Sequence, residues 1–177
     1  LIEMTLIKYL KNLIVKGIYE DTGLLAVDTD NNNKKPKYPF YSFKFITPIM
    51  NIGEGGTIRH SFDKSLNPKF KYDYIEKLEL QPKTVISFNS YDEDVDGSFE
   101  ACLKAWEYFR HRSKYYFRDN NVVVVNVGNI TDRTVFIGEA YEYRYGFDVE
   151  FRILHEIENR IETIEEYSFK KGKGVDL

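Results

Sequence analysis

The chain predicts an α+β fold, a mixed or antiparallel β-sheet with two main helices packed on it, on three observations. Phe147, Val149, Phe151 and Ile153 alternate with Asp148, Glu150 and Arg152, the period-2 pattern of a strand with one face buried and one solvated. Leu6, Leu10, Leu13 and Ile14 recur at spacings of three and four, which draws an apolar stripe along a helix. Phe99, Cys102, Leu103, Trp106 and Phe109 draw a second, wider stripe. With 177 residues, 42% of them hydrophobic, the chain can bury one sizeable core and is short for two, so a single domain over 1–177 is expected.

Taken in order, the first helix is expected over about 3–16, with Lys8, Lys11 and Asn12 on its polar face and Gly17 ending it. A short strand follows within 23–28, then an Asn- and Lys-rich loop from Asp30 to Pro36. The strand at about 38–47 carries aromatics on both faces, and Pro39 and Pro48 bracket it where a missing backbone donor is tolerated. Between about 50 and 73, Gly53, Gly55, Gly56 and Pro68 break the regularity and give a long loop or hairpin arm; connections of that length are functional or disordered. Strands are expected at about 74–80 and 83–91, and a second helix at about 95–112 whose Leu103 and Trp106 face the sheet. Val122 to Val125 form a continuous β-branched run, as in a strand buried on both faces. Residues 154–169 read two ways. Leu154, Ile157, Ile161 and Ile164 keep helical spacing, while a strand hairpin turning near Glu158 and Asn159 fits with a register irregularity. Residues 170–177 are expected to be a flexible tail.

The net charge of −3 conceals a gradient: residues 1–90 hold 13 Lys+Arg against 10 Asp+Glu, and residues 91–177 hold 12 against 18. The halves are thus +3 and −6, which suits a subunit whose one side meets a different side of an identical neighbour. A single Cys102 excludes an intrachain disulfide and a Cys-based zinc site, and fits a reducing compartment. With no apolar run of bilayer-spanning length and no signal-peptide cleavage pattern, a soluble protein with no membrane partner is expected. The 14 Tyr and 13 Phe suit surfaces that are wet at one moment and buried in an interface at another.

Several clusters could carry chemistry. Asp92, Asp94, Asp96 and Gly97 match the opening of an EF-hand calcium loop, but Leu103 stands where the bidentate Glu belongs. The plainer reading is that the three carboxylates cap the second helix, so no metal or cofactor is expected and calcium is a weak candidate. The same acids with Lys83 or Lys104 could be imagined as a nuclease centre, although a two-metal site needs carboxylates from separate elements. His60, His111 and His155 have no ligand spacing. Gly53, Gly55 and Gly56 lack the Lys-Ser/Thr of a phosphate loop. Arg59, Lys64, Lys69 and Lys71 interleave with Phe62, Phe70 and Tyr72, a composition equally at home on nucleic acid and in a protein-docking arm. Asp63 and Asp73 dilute its charge.

Three further runs carry a resemblance: Ile-Thr-Asp-Arg at 130–133, Arg-Tyr-Gly-Phe-Asp at 144–148 and Ile-Glu-Thr-Ile-Glu at 161–165. Together with the order helix, strands, helix, strands, they resemble the phage neck or tail terminator family, ring-forming proteins that close the head-proximal end of a phage tail. The resemblance implies an α+β subunit in a homo-hexameric ring, without catalysis, made in the bacterial host cytoplasm and resident in the virion. Its implied partners are other copies of itself, the tail tube and sheath, and a head-completion or connector protein, with DNA only passing through the lumen. On that reading Lys34, Lys35 and Arg59 would meet Glu150 and Glu162 between subunits. Arg59, Phe62, Phe70, Tyr72, Asp132 and Arg133 would make axial contacts. A metal-dependent nucleic-acid enzyme and a monomeric nucleic-acid-binding module are the alternatives.

Overall fold

The computed structural model describes residues 6–31, 34–50, 53 and 55–163. They fall into two compact units, Leu1–Glu54 with Gln81–His155 and Gly55–Leu80 with Glu156–Leu177. The fold is α+β, a mixed sheet with two main helices.

The first unit is organised on β9 (Ala140–Ile153), which pairs antiparallel with β5 (Lys83–Asp92) along one edge. Its other edge is taken in turn by β6 (Val122–Val127), β7 (Thr131–Asp132) and β8 (Val135–Ile137). β2 (Phe40–Met50) pairs antiparallel with β5, and the short β1 (Ala26–Asp28) lies parallel to β2. Ile86, Phe88, Phe147, Val149, Phe151 and Ile153 are all at most 2% exposed, so the alternation read from the sequence is the buried face of this sheet. Burying each such side chain contributes roughly 1.5–3 kcal/mol.

Two helices cover that face. α1 (Leu6–Thr22) buries Leu10, Leu13, Ile14 and Ile18. Gly17 does not end it: the glycine is buried in mid-helix, and the helix stops at Gly23, whose φ of +75° favours glycine. α2 (Val95–Glu107) continues through a π-helical turn (Tyr108–Arg112) into the short α3 (Lys114–Arg118). α2 buries Ser98, Ala101, Cys102 and Ala105, whereas Leu103 is 37% exposed and Trp106 only partly buried. The stripe facing the sheet is therefore the small one, because the sheet already presents large aromatic rings and only small helix residues let the backbone come close. Phe109, carried by the π-helical turn, enters an aromatic cluster with centroids 5.2 Å from Phe88, 6.1 Å from Phe147 and 6.0 Å from Phe151.

β6 also differs from expectation. It is an edge strand in which Val122 and Val127 are buried while Val123 and Val125 are exposed. β-branching there reflects pleated backbone and one buried face, not burial on two. β2 runs past Pro48, with register shifts between Phe45 and Thr47 and between Thr47 and Met50 that absorb the proline.

In the second unit the arm is a hairpin of β3 (Thr57–Lys64) and β4 (Tyr72–Leu80), and β10 (His155–Glu162) pairs on the far side of β4. The expected turn near Glu158 and Asn159 is absent, since one strand passes straight through both. β4 offers that strand a pairing edge that local spacing could not reveal. Residues 164–177, including the expected tail, lie outside the described residues.

Candidate interaction surfaces

The sheet face opposite the helices is polar, and Arg133 organises it. Its guanidinium donates to Ser87 Oγ at 2.6 Å, Asn89 Oδ1 at 2.9 Å and Asp148 Oδ1 at 3.0 Å. It can lie flat because Gly146 has no side chain: a Cβ there would sit 2.9 Å from Arg133 Nη1 and 2.3 Å from Asn89 Oδ1. Asp132 accepts from Thr134 N at 2.8 Å, and the Thr134 hydroxyl and N–H hold its carboxyl below the usual range. Glu150 faces Lys83 at 3.3 Å. These residues thus already have partners inside the subunit.

Lys35 sits in an aromatic box, 4.7 Å from the Tyr38 ring centroid, 5.9 Å from Phe40 and 5.5 Å from Tyr91, and it pairs with Glu142. Burial alone lowers its pKa, but the Glu142 and Tyr38 hydrogen bonds outweigh it and the net direction is up. Lys34, exposed, joins it at a cavity of about 260 Å³.

In the second unit, Arg59 pairs with Glu79 at 3.0 Å. Asp73, 2% exposed, accepts from Arg160 at 3.2 Å and from Leu66 N at 3.2 Å. The Ser65 hydroxyl foremost, opposed by burial and aided by Leu66 N–H and Arg160, depresses its pKa. On the other face Phe62 lies 5.7 Å from Tyr74, and Tyr74 stacks on His60 at 5.4 Å. Every residue of β3 is exposed; Ile58 and Phe62 (68%) stand open, as do Ile157 and Ile161 on β10. Tyr72 is exposed, Phe70 half-buried, and Glu162 accepts from Asn67 Nδ2 at 2.8 Å. Lys34 and Lys35 therefore belong to one unit, and Arg59 and Glu162 to the other.

Asp94 caps α2: its carboxylate accepts from Gly97 N at 2.7 Å. Asp92 Oδ1 accepts from Glu93 N at 2.6 Å, and its other oxygen would be 2.6 Å from a Cβ at Gly97. Among the described residues, no group of three or more His, Cys, Asp or Glu side chains is placed to hold a metal ion. Burial pushes the Cys102 thiol up to about 12, which keeps it protonated and unreactive.

Sequence reasoning missed the Arg112 clamp. Its guanidinium meets Asp21 at 2.7 Å and Glu107 at 2.9 Å, tying the end of α1 to α2. It also missed the Trp106 indole, which donates to Gly128 O at 2.9 Å. Asp21 and Gly128 lie 91 and 22 residues away from Arg112 and Trp106 in sequence, with no local signal; Glu107 alone is near its partner.

Fold and surfaces define an α+β protein whose charged and apolar side chains lie on open faces. A sequence model of the phage neck terminator protein family matches residues 4–174, and the chain belongs to that family. It is thus a structural protein of the phage neck and a virion component. Among curated proteins none matches the chain. Among the described residues, no helix is long and apolar enough to cross a membrane.

Proposed function

We propose that six copies form a closed ring that caps the tail tube at its final length and presents its upper face to the head-completion protein. The observation that carries this reading is the β3–β4–β10 sheet, whose Ile58, Phe62, Ile157 and Ile161 are all exposed. Clustered exposed apolar residues on a soluble domain mark an interaction surface. The whole chain then acts as one terminator domain with the β3–β4 hairpin as its arm. Arg59, Phe62, Phe70 and Tyr72 from the arm, and Asp132 and Arg133 from the other unit, supply axial contacts to tube, sheath or connector. Lys34, Lys35 and Arg59 face Glu150 and Glu162 of the next copy. Several of these already hold partners within the subunit, so assembly exchanges ion pairs, and exposed pairs are worth only about 0–1 kcal/mol.

An acidic lumen lets DNA slide through without condensing on the protein. On this reading the chain is not an enzyme, needs no cofactor, and assembles in the host cytoplasm before joining the virion. Sedimentation of the purified chain tests it: a species near six times 20.9 kDa is expected. Infection with the gene deleted should give tails of uncontrolled length, and normal tails would overturn the reading.

A further inference from the structure

We propose that β10 of one copy adds to the open edge of β6 on the next, so that a sheet of one subunit continues into a sheet of its neighbour. This rests on the reading that copies of the chain associate, and it assigns that contact to two strand edges, with Glu162 on β10 the one residue shared with the charge pairs named above.

β6 ends the large sheet and β10 ends the small one, and among the described residues no strand covers the outer edge of either. An open edge is a template for a further strand, and natural proteins blunt it with charge or proline. Val122–Val127 contains neither, and it shows Val123 (53%) and Val125 (41%) to solvent. A cleft of about 350 Å³ runs along this edge, and its other wall is Arg110, His111, Lys114 and Arg118. Among the described residues Arg110 and Lys114 have no ion-pair partner, while Arg118 pairs with Asp119 at 3.4 Å and lies 4.7 Å from the Tyr115 ring centroid.

Such an edge selects an extended segment with apolar side chains on one face and carboxylates on the other. β10 has that pattern: exposed Ile157 and Ile161 alternate with exposed Glu156, Glu158 and Glu162, and the one basic residue on the carboxylate face, Arg160, is taken up by Asp63 and Asp73 within its own sheet. The remaining edges fit less well. β3 carries Arg59, His60 and Lys64 beside a single Asp63, the wrong sign for a basic cleft, and β1 is three residues long. Each copy presents one acceptor edge and one donor strand, so the contact is head-to-tail, the kind that repeats around a ring.

The test uses the full chain in three forms: Arg110→Glu with Lys114→Glu, Glu156→Lys with Glu158→Lys, and all four together. Folding is checked by circular dichroism, and mass is followed by sedimentation against concentration. Each pair of reversals should raise the concentration needed for assembly by about tenfold or more, and the fourfold variant should recover most of that loss. A second measurement does not depend on charge. A chain with Val125→Cys is mixed with a chain with Ile157→Cys under mild oxidation, and covalent dimer should form well above the level of either alone. Monomers at every concentration overturn both this inference and the ring. A ring indifferent to all three charge variants, with no excess covalent dimer in the mixture, overturns the strand pairing and leaves the ring reading standing.

Discussion

The Cβ that Gly17 lacks would lie 2.1 Å from the hydroxyl oxygen of Tyr108, and 2.7 Å from Tyr116 Cε1. α1 can approach the π-helical turn and α3 only because this position has no side chain. Gly17→Ala gains up to about 1 kcal/mol of helix propensity, but the clash with a tyrosine that is 4% exposed costs about 1–3 kcal/mol. The net expectation is a lower melting temperature. Adding Tyr108→Phe should recover part of the loss, and additive effects in this double-mutant cycle would refute the close contact.

Asp94 caps α2 through Gly97 N. Asp94→Ala should cost about 0.5–2 kcal/mol in chemical denaturation. Millimolar Ca²⁺ should leave the melting temperature of the parent protein where it was, because a ligand that does not bind the native state cannot stabilise it. A calcium-dependent rise would show that the loop of Asp92, Asp94 and Asp96 binds the ion despite Leu103.

The buried face of α2 can be read by substitution. Leu103→Ala, at a partly exposed position, should change stability by about 0.5 kcal/mol or less. Ala105→Leu, at 0% exposure, should cost about 1–3 kcal/mol through overpacking. The reverse order in thermal melts would restore the large-residue stripe as the face against the sheet.

Asp73 gives the second unit an acid sensitivity. Its folded pKa lies below the ordinary value of 3.8. Its contribution is therefore fully present above that value and is lost as pH falls through the depressed folded value. Comparing Asp73→Asn with the parent should show a stability gap at pH 6 that narrows as pH falls below 3.8. A gap that widens on acidification would contradict the depressed pKa.

The sequence revealed most where periodicity alone decides. Phe147 to Ile153 alternate because one face is buried, and that face is where the strand pattern put it. Asp94 was legible as a cap because an N-cap is a local interaction. What stayed hidden was set by distant partners. Leu103 looks like a core residue until Phe88 and Phe147 fill the space and leave room only for Ala101 and Ala105. Glu158 looks like a turn residue until β4 supplies an edge for β10. Arg133 stands in the sequence only as part of the Ile-Thr-Asp-Arg run, and only the fold brings Ser87, Asn89 and Asp148 beneath it.

The proposed ring makes a prediction in which fold and assembly separate. Glu150 faces Lys83 at 3.3 Å, and Glu162 accepts from Asn67, both at partly or fully exposed positions. Reversing either to Lys removes an interaction worth about 0–1 kcal/mol, so the monomer should keep its circular dichroism spectrum and nearly its melting temperature. In a closed ring the same change recurs at every boundary, which multiplies a small loss into a large shift of the assembly equilibrium. Glu150→Lys or Glu162→Lys should therefore lower the fraction of assembled protein in sedimentation and, in infected cells, yield tails of uncontrolled length. The salt dependence should weaken as well, since fewer opposite charges meet between copies and screening has less to remove. A folded variant that assembles as well as the parent at low salt would place the subunit boundary away from Glu150 and Glu162.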